Sequence, residues 1–278
     1  MKIAVLSGKG GAGKTFAAVN LAVAAGNAVY IDCDVEEPNG RIFLKPEIEN
    51  EIPVDIKLPK FDADKCNGCR KCVEFCRFNA LIYIKNRPDV FSEVCHSCGG
   101  CMLVCPENAI SEENKNIGKV EIGHRRDIKV VTGVLNIGEA SGVPVINAAL
   151  RADIDYNRNI IVDCPPGSAC SVVESISEVD YCILVAEPTA FGFHNFKMVY
   201  ELATLLNKPC SVVINKMDEV YEPLESFCQE KNIPIVMRIP FNKGIAEIVS
   251  RGDVLVDKDN SYKQLFVNAL REMVGETK

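Results

Sequence analysis

Little in this chain points to nucleic acid, to a membrane or to histidine chemistry. Across 278 residues, 31 lysines and arginines stand against 38 aspartates and glutamates, for a formal net charge of −7. Non-specific nucleic-acid binding relies on a basic surface, so the composition argues against that class. No apolar run approaches the length of a bilayer-spanning helix. The opening Met1-Lys2-Ile3-Ala4-Val5-Leu6 runs straight into glycines, too short for a signal peptide and without a cleavage region. Only three histidines are present, His96, His124 and His194, and they form no spaced set. These shortages predict a soluble, cytoplasmic protein with neither nucleic acid nor membrane among its partners.

Cysteine, by contrast, is abundant, with fourteen. In a small secreted chain that would suggest disulfides, but in a cytoplasmic enzyme it points to metal or cluster ligands. Eight of them form two runs, Cys66, Cys69, Cys72, Cys76 and Cys95, Cys98, Cys101, Cys105, each reading C-x2-C-x2-C-x3-C. The runs repeat at a constant offset of 29 residues, and Phe78-Asn79-Ala80-Leu81 echoes Glu107-Asn108-Ala109-Ile110 behind them. This spacing is the one by which two-cluster bacterial ferredoxins hold a pair of [4Fe–4S] cubanes. Structural zinc, as in tandem C-x2-C ribbons, is the plainer alternative. A stretch this short and this poor in apolar mass needs a ligand's binding energy in order to fold.

A second motif lies upstream. Gly8-Lys9-Gly10-Gly11-Ala12-Gly13-Lys14-Thr15 fits the Walker A pattern G-x-x-x-x-G-K-[ST]. Its glycines let backbone N–H groups cradle phosphate at a helix N-terminus, with Lys14 on the β- and γ-phosphates and the Thr15 hydroxyl on Mg²⁺. Apolar runs at 2–6, 28–31, 128–132, 160–162, 181–186 and 211–214 read as strands, and 15–25 and 262–273 as helices. Leu265, Phe266, Ala269, Leu270 and Met273 share one face of the last helix. The pattern predicts an α/β fold, a doubly wound and mostly parallel sheet with a small α+β ferredoxin-like domain inserted. The expected division is 1–60 and 115–278 for the nucleotide domain, with 61–114 as the insert. Asp163 closes a buried strand and fits the Walker B role toward Mg²⁺.

The run from Lys9 to Thr15 resembles the deviant Walker A of the MinD/ParA family of P-loop ATPases. That resemblance implies that Lys9 reaches across a nucleotide-sandwich homodimer to the partner copy's phosphates. Asp32-Cys33-Asp34 followed by Pro38-Asn39 is similar to the family's switch I, which gives Asp34 the attacking water and a share of Mg²⁺. Asp163-Cys164-Pro165-Pro166-Gly167 resembles switch II of the Mrp-like branch, and Glu187-Pro188-Thr189 and Ile239-Pro240-Phe241 extend the likeness. The resemblance places Gly10, Gly11, Ala12, Gly13, Lys14, Thr15 and Phe16 around the phosphates, and Asn215 and Pro240 at the base. ATP is the expected nucleotide, although Asn215-Lys216-Met217-Asp218 also fits a guanine-reading pattern and leaves GTP open.

Within the family, the chain resembles the members that carry an inserted two-cluster ferredoxin domain. Carried over, Cys66, Cys69, Cys72 and Cys105 hold one cubane, and Cys95, Cys98, Cys101 and Cys76 hold the other. Arg77 stands where that motif usually has proline, whereas Pro106 is regular. Cys170 occupies the switch II offset at which the nitrogenase iron protein carries a subunit-bridging cluster ligand; a buried structural thiol is the plainer reading. Cys182 and Cys210 lie in strand-like apolar runs and read as small core residues. Cys33 and Cys164 adjoin the nucleotide-contacting aspartates, where redox sensitivity is open, and Cys228 stands alone, without the C-x-x-C pair of the Mrp-type scaffolds. The resulting expectation is an ATP-hydrolysing iron–sulfur protein that couples dimer switching to electron transfer or cluster handling for a client protein. A regulatory or positioning ATPase with redox-sensing clusters is the alternative, although Gly275-Glu276-Thr277-Lys278 lacks the basic amphipathic helix of membrane-binding members.

Overall fold

The computed structural model describes residues 1–152 and 154–274; Gly275–Lys278, read above as lacking a membrane helix, lie outside them. The described residues contain eleven strands: β1 (Lys2–Leu6), β2 (Ala28–Asp32), β3 (Glu47–Phe61), β4 (Leu81–Ile84), β5 (Arg87–Val90), β6 (Ile110–Arg125), β7 (Ile128–Leu135), β8 (Asn159–Asp163), β9 (Tyr181–Ala186), β10 (Cys210–Met217) and β11 (Ile235–Pro240). Nine form one sheet in the order β11-β10-β9-β1-β8-β2-β7-β6-β3, and β4 pairs with β5 apart from it. From β11 to β7 every pairing is parallel, while β6 and β3 add an antiparallel edge. The α/β, mostly parallel expectation holds in that form.

Helices cover both faces, as a parallel sheet requires. On one face lie the alanine-rich helix Lys14–Ala25 and the helix Asn260–Val274, whose Phe266, Ala269, Leu270 and Met273 are buried against the sheet as their spacing predicts. On the other, Val145, Ile146 and Ala149 of the helix Val143–Leu150 join Val172, Ile176, Phe196 and Val199. Among the described residues no helix is long and apolar enough to cross a membrane.

The sequence reading misses the two longest strands. The ladder from Glu47↔His124 to Phe61↔Ile110 makes a ribbon of β3 and β6, and β6 pairs with β7 only from Gly118↔Leu135 onward. The rest of the ribbon therefore projects beyond the sheet, and segment 62–109 sits at its tip. Where the ribbon leaves the sheet the register shifts between Val54 and Asp55, leaving Ile117 as an extra, buried residue. Such a bulge bends a strand and disrupts its ladder. Here it is secured: Asn116 Nδ2 donates to Asp55 Oδ1 (3.0 Å) and to the Gly118 carbonyl (3.1 Å), and Asn136 N–H donates to the Ile117 carbonyl (2.8 Å). Lys115 pairs with Glu139 at 2.8 Å beside it. One residue along, Leu135 N–H donates to the Val35 carbonyl (2.9 Å), next to Asp34.

Candidate functional site

β1 ends in the glycine loop, and β2 and β8 end in Asp32 and Asp163, which face each other in the register of neighbouring strands. The topology thus gathers the loop and both aspartates at the carboxyl edge of the sheet, where open α/β sheets bind ligands. Gly13 has φ 95° and precedes the helix; a Cβ there would stand 2.0 Å from Asn215 Nδ2. Lys14 opens the helix almost fully buried, its Nζ 2.9 Å from Asp163 Oδ1 and 3.3 Å from Asp34 Oδ2. Burial works to lower its pKa, but the two carboxylates outweigh burial and leave it raised. Asp34 is raised, chiefly by burial against the opposing charge of Lys14. The Thr15 hydroxyl, half-buried in the first turn, has no hydrogen-bond partner among the described residues. A lysine held between two carboxylates at a helix N-terminus is an arrangement whose charges a phosphate and a cation could separate.

Sequence reasoning missed the role of three supporting residues, Tyr30 altogether and the pairing of Glu187 and Lys216, whose motifs it did note. Tyr30, fully buried under the sheet edge, donates its hydroxyl to Asp163 Oδ2 (2.9 Å) and steadies that carboxylate opposite Lys14. A tyrosine in a buried strand carries no local signal of that role. Glu187 accepts from Lys9 Nζ and from Lys216 Nζ (2.7 Å), and Lys216 also donates to the Gly11 carbonyl (2.6 Å). The three charges close a chain across the mouth of the loop, with Lys9 also 5.3 Å from the centre of the exposed Phe191 ring.

Other predicted residues fall in different surroundings. The Phe16 ring packs edge-on against Phe266, so only its backbone N–H remains to meet a phosphate. Asn215 is buried and donates Nδ2 to the Ala12 carbonyl (2.9 Å), which ties β10 to the loop. Pro240 is exposed at the end of β11, paired in register with Met217, and Asp218 is exposed just beyond. Cys170 is exposed at the start of the helix Cys170–Ile176, so the buried-thiol reading of it fails. Cys33, Cys164, Cys182 and Cys228 are buried; burial raises their thiols, to about 12 for Cys182 and about 11 for Cys228, which makes them unreactive.

At the ribbon tip the repeat is visible in the backbone. Asn79 and Asn108 both take left-handed φ, 52° and 49°, after matching turns in which Asn79 N–H donates to Cys76 and Asn108 N–H to Cys105. Likewise Cys66 N–H donates to Asp62 and Cys95 N–H to Phe91. The two runs are brought together crosswise in two cavities. One is lined by Cys66, Cys69, Cys72 and Cys105, with Phe61, Arg70, Tyr83 and Glu107. The other is lined by Cys95, Cys98, Cys101 and Cys76, with Lys57, Arg77, His96 and Glu112. Burial raises the Cys72 thiol and pushes Cys101 up to about 11. Among the described residues no three His, Cys, Asp or Glu side chains converge closely enough for a single ion. Ser97, lining the second cavity, has a buried Oγ without a hydrogen-bond partner.

Glycine loop, helix-opening lysine and paired strand-end aspartates together define a P-loop nucleotide-binding protein. The chain belongs to the CobQ/CobB/MinD/ParA nucleotide-binding domain family, which matches residues 3–256. An uncharacterised protein of Methanocaldococcus jannaschii is 27% identical across 99% of this chain and 98% of its own length. An uncharacterised ferredoxin of the same organism is 35% identical over 20% of this chain and 88% of itself. Among solved structures, the septum site-determining protein MinD of Pyrococcus horikoshii, complexed with Mg-ADP, shares the fold: TM-score 0.59, 17% identity, covering 98% of this chain and 95% of that one.

Proposed function

We propose that the chain is an ATP-hydrolysing iron–sulfur protein in which nucleotide-driven dimer switching is coupled to electron transfer or cluster handling for a partner protein. The observation that carries this reading is the crosswise lining of two cavities by two four-cysteine sets, on a fold whose loop lysine lies between two aspartates. Mg²⁺ would sit with Thr15 and Asp34, and with Asp163 through water; Lys14 would turn from the aspartates to the phosphates of ATP. Asp34 then orients the attacking water. Lys9 would leave Glu187 for the phosphates of a second copy, with Asn215 and Pro240 beside the base.

The cysteine cavities fit a cubane better than zinc. A cubane brings four irons of its own and spreads its thiolates farther apart than one tetrahedral ion does, and the eight cysteines divide evenly, four to each cavity. Ser97, whose buried Oγ has no partner, lines the second cavity, where a sulfur-rich group would accept its hydrogen bond. The likeness to a ferredoxin supports the same choice. Cys66, Cys69, Cys72 and Cys105 would hold one cluster and Cys95, Cys98, Cys101 and Cys76 the other, and bound there the clusters supply one-electron chemistry. The exposed Cys170 would ligate a subunit-bridging cluster if the dimer carries one, and iron beyond about eight per chain would reveal it.

The test is iron and sulfide analysis with electron paramagnetic resonance on anaerobically purified protein, and ATP turnover with the clusters oxidised and then reduced by dithionite. Cubane signals and a turnover that changes with redox state are expected. Zinc in place of iron, or turnover indifferent to redox state and to any client, would sink the coupling. GTP competition decides the base. ATP-dependent pelleting with liposomes or DNA would instead favour the positioning ATPase.

A further inference from the structure

The two cysteine runs repeat in spacing and in backbone, but not in charge. Between residues 65 and 87 stand six cations, Lys65, Arg70, Lys71, Arg77, Lys85 and Arg87, against Glu74 alone. From 88 to 114 the five ionised side chains are all carboxylates, Asp89, Glu93, Glu107, Glu112 and Glu113. All six cations are exposed. Lys65 pairs with Asp62 at 3.1 Å, but the other five have no carboxylate within 4 Å among the described residues. The sheet treats its cations differently: Lys9, Lys14, Lys216 and Arg125 all have acidic partners.

The fold brings most of these cations to the side of the first cavity, while Arg77 lines the second. The Arg70 guanidinium lies 4.4 Å from the centre of the Tyr83 ring, and Tyr83 hydroxyl seats so close to Gly68 that a Cβ there would meet it at 2.5 Å. The loop carrying Arg70 and Lys71 is thereby held against the β4–β5 hairpin, whose Ile84↔Arg87 pairing sets Lys85 and Arg87 at its turn. Arg70, Tyr83 and Pro88 line the cavity with Cys66, Cys69, Cys72 and Cys105, and Cys69 is exposed. This cavity also touches Phe61 and Ile110 at the ribbon's end, while the second touches Lys57, Pro59 and Glu112 further back. Arg70, Lys71, Lys85 and Arg87 therefore stand on the side of the cavity farther from the sheet, where Glu107 is the lining carboxylate, while Arg77 lines the second cavity.

We propose that this basic face docks an acidic protein that carries its own one-electron centre, and presents that centre to the group in the first cavity. The proposal rests on the cluster reading above. One electron passes per encounter, the donor oxidised and the acceptor reduced by one, and no bond or proton moves. Unpaired cations on a chain of net negative charge steer such a partner to one end of the molecule, and steering of this kind weakens with salt.

The test uses the full, iron-loaded chain under anaerobic conditions with an acidic [2Fe–2S] ferredoxin as the probe, following association by stopped flow. The rate is expected to fall about tenfold or more between low and high ionic strength. The double variant Lys85→Glu, Arg87→Glu changes only the hairpin turn and is expected to lower the low-salt rate about tenfold, with iron content and spectrum intact. Glu93→Lys, on the acidic half, should not slow it. A loaded chain whose association ignores both salt and charge reversal overturns the docking face, as does an oligonucleotide that displaces the ferredoxin. A chain without iron that still binds in this variant-sensitive way retains the face and sinks the cluster reading instead.

Discussion

In the sheet, β1 and β2 are buried along their whole length, and β8 and β9 are buried from their second residue onward. At the ribbon tip, Phe75, Phe78, Phe91, Val94 and Leu103 are all exposed, and little more than Ala80, Leu81 and Ala109 is apolar and buried. The first region can be held by apolar burial, which scales with the area removed from water. The second has no such core, and on the proposed reading it depends on what its eight cysteines hold. On that reading one part of the chain is held by apolar burial and the other by a ligand, and the two should respond to different insults.

Removing the ligand is the strongest way to break that contrast. Chelation under reducing conditions should leave the sheet's slow amides protected, while amides of 62–109 exchange at least about a hundredfold faster. Loss of protection in both regions would mean that the sheet, too, depends on the tip. Next comes Lys9→Ala, which leaves Glu187 paired with Lys216 and so spares the fold. ATP turnover should fall by about a thousandfold, the scale of a cation supplied in trans, with iron content unchanged. A turnover within a few-fold of the unaltered chain would remove Lys9 from the mechanism.

Two glycines sharpen the comparison on a smaller scale. Gly13→Ala meets both a left-handed φ and the Asn215 amide at 2.0 Å, and should cost about 2–4 kcal/mol in chemical denaturation. At the tip Gly99→Ala carries the φ penalty alone, its nearest neighbour being Glu112 at 4.0 Å, and should cost about 1–2 kcal/mol. Equal costs would show that the loop yields more readily than its contacts suggest.

The smallest effect is one of pH. Burial works to raise the pKa of Glu187, but hydrogen bonds from Lys216 and Lys9 outweigh it and leave the carboxyl below its ordinary 4.5. A lowered carboxyl contributes stability that is present above pH 4.5 and is lost as pH falls through the folded value. The melting difference between the unaltered chain and Glu187→Gln should therefore hold steady down to about pH 4.5 and close below it. A gap that persisted in acid would trace the difference to packing.

Where residues are picked out by local spacing, the sequence placed them near one another as the fold does. The glycine loop, Asp34 and Asp163 lie in local patterns whose chemistry needs those residue types in that order, and the fold gathers them at one edge. The β3–β6 ribbon was not read. Ile52, Val54, Ile56 and Leu58 do alternate with polar residues, but Pro53 and Pro59 interrupt the run and argue against a strand. Proline is tolerated there because β3 is the outermost strand of the sheet. Tyr30 and Glu187 stayed hidden for another reason. Their partners lie 133 and 178 residues away in the chain, at Asp163 and Lys9, and only the folded sheet brings them near.

The bulge at Ile117 has a mechanical consequence. From Asn116 to Ile110 the free ribbon extends about 20 Å at roughly 3.4 Å per residue, so a tilt of about 10° at its root would sweep the tip through about 3.5 Å. That root is bonded to Asn136, and Leu135 beside it to Val35, the residue after Asp34. If Asp34 positions water as proposed, a shift of a few tenths of an ångström there would be applied at the short end of a lever whose long end carries the cysteines.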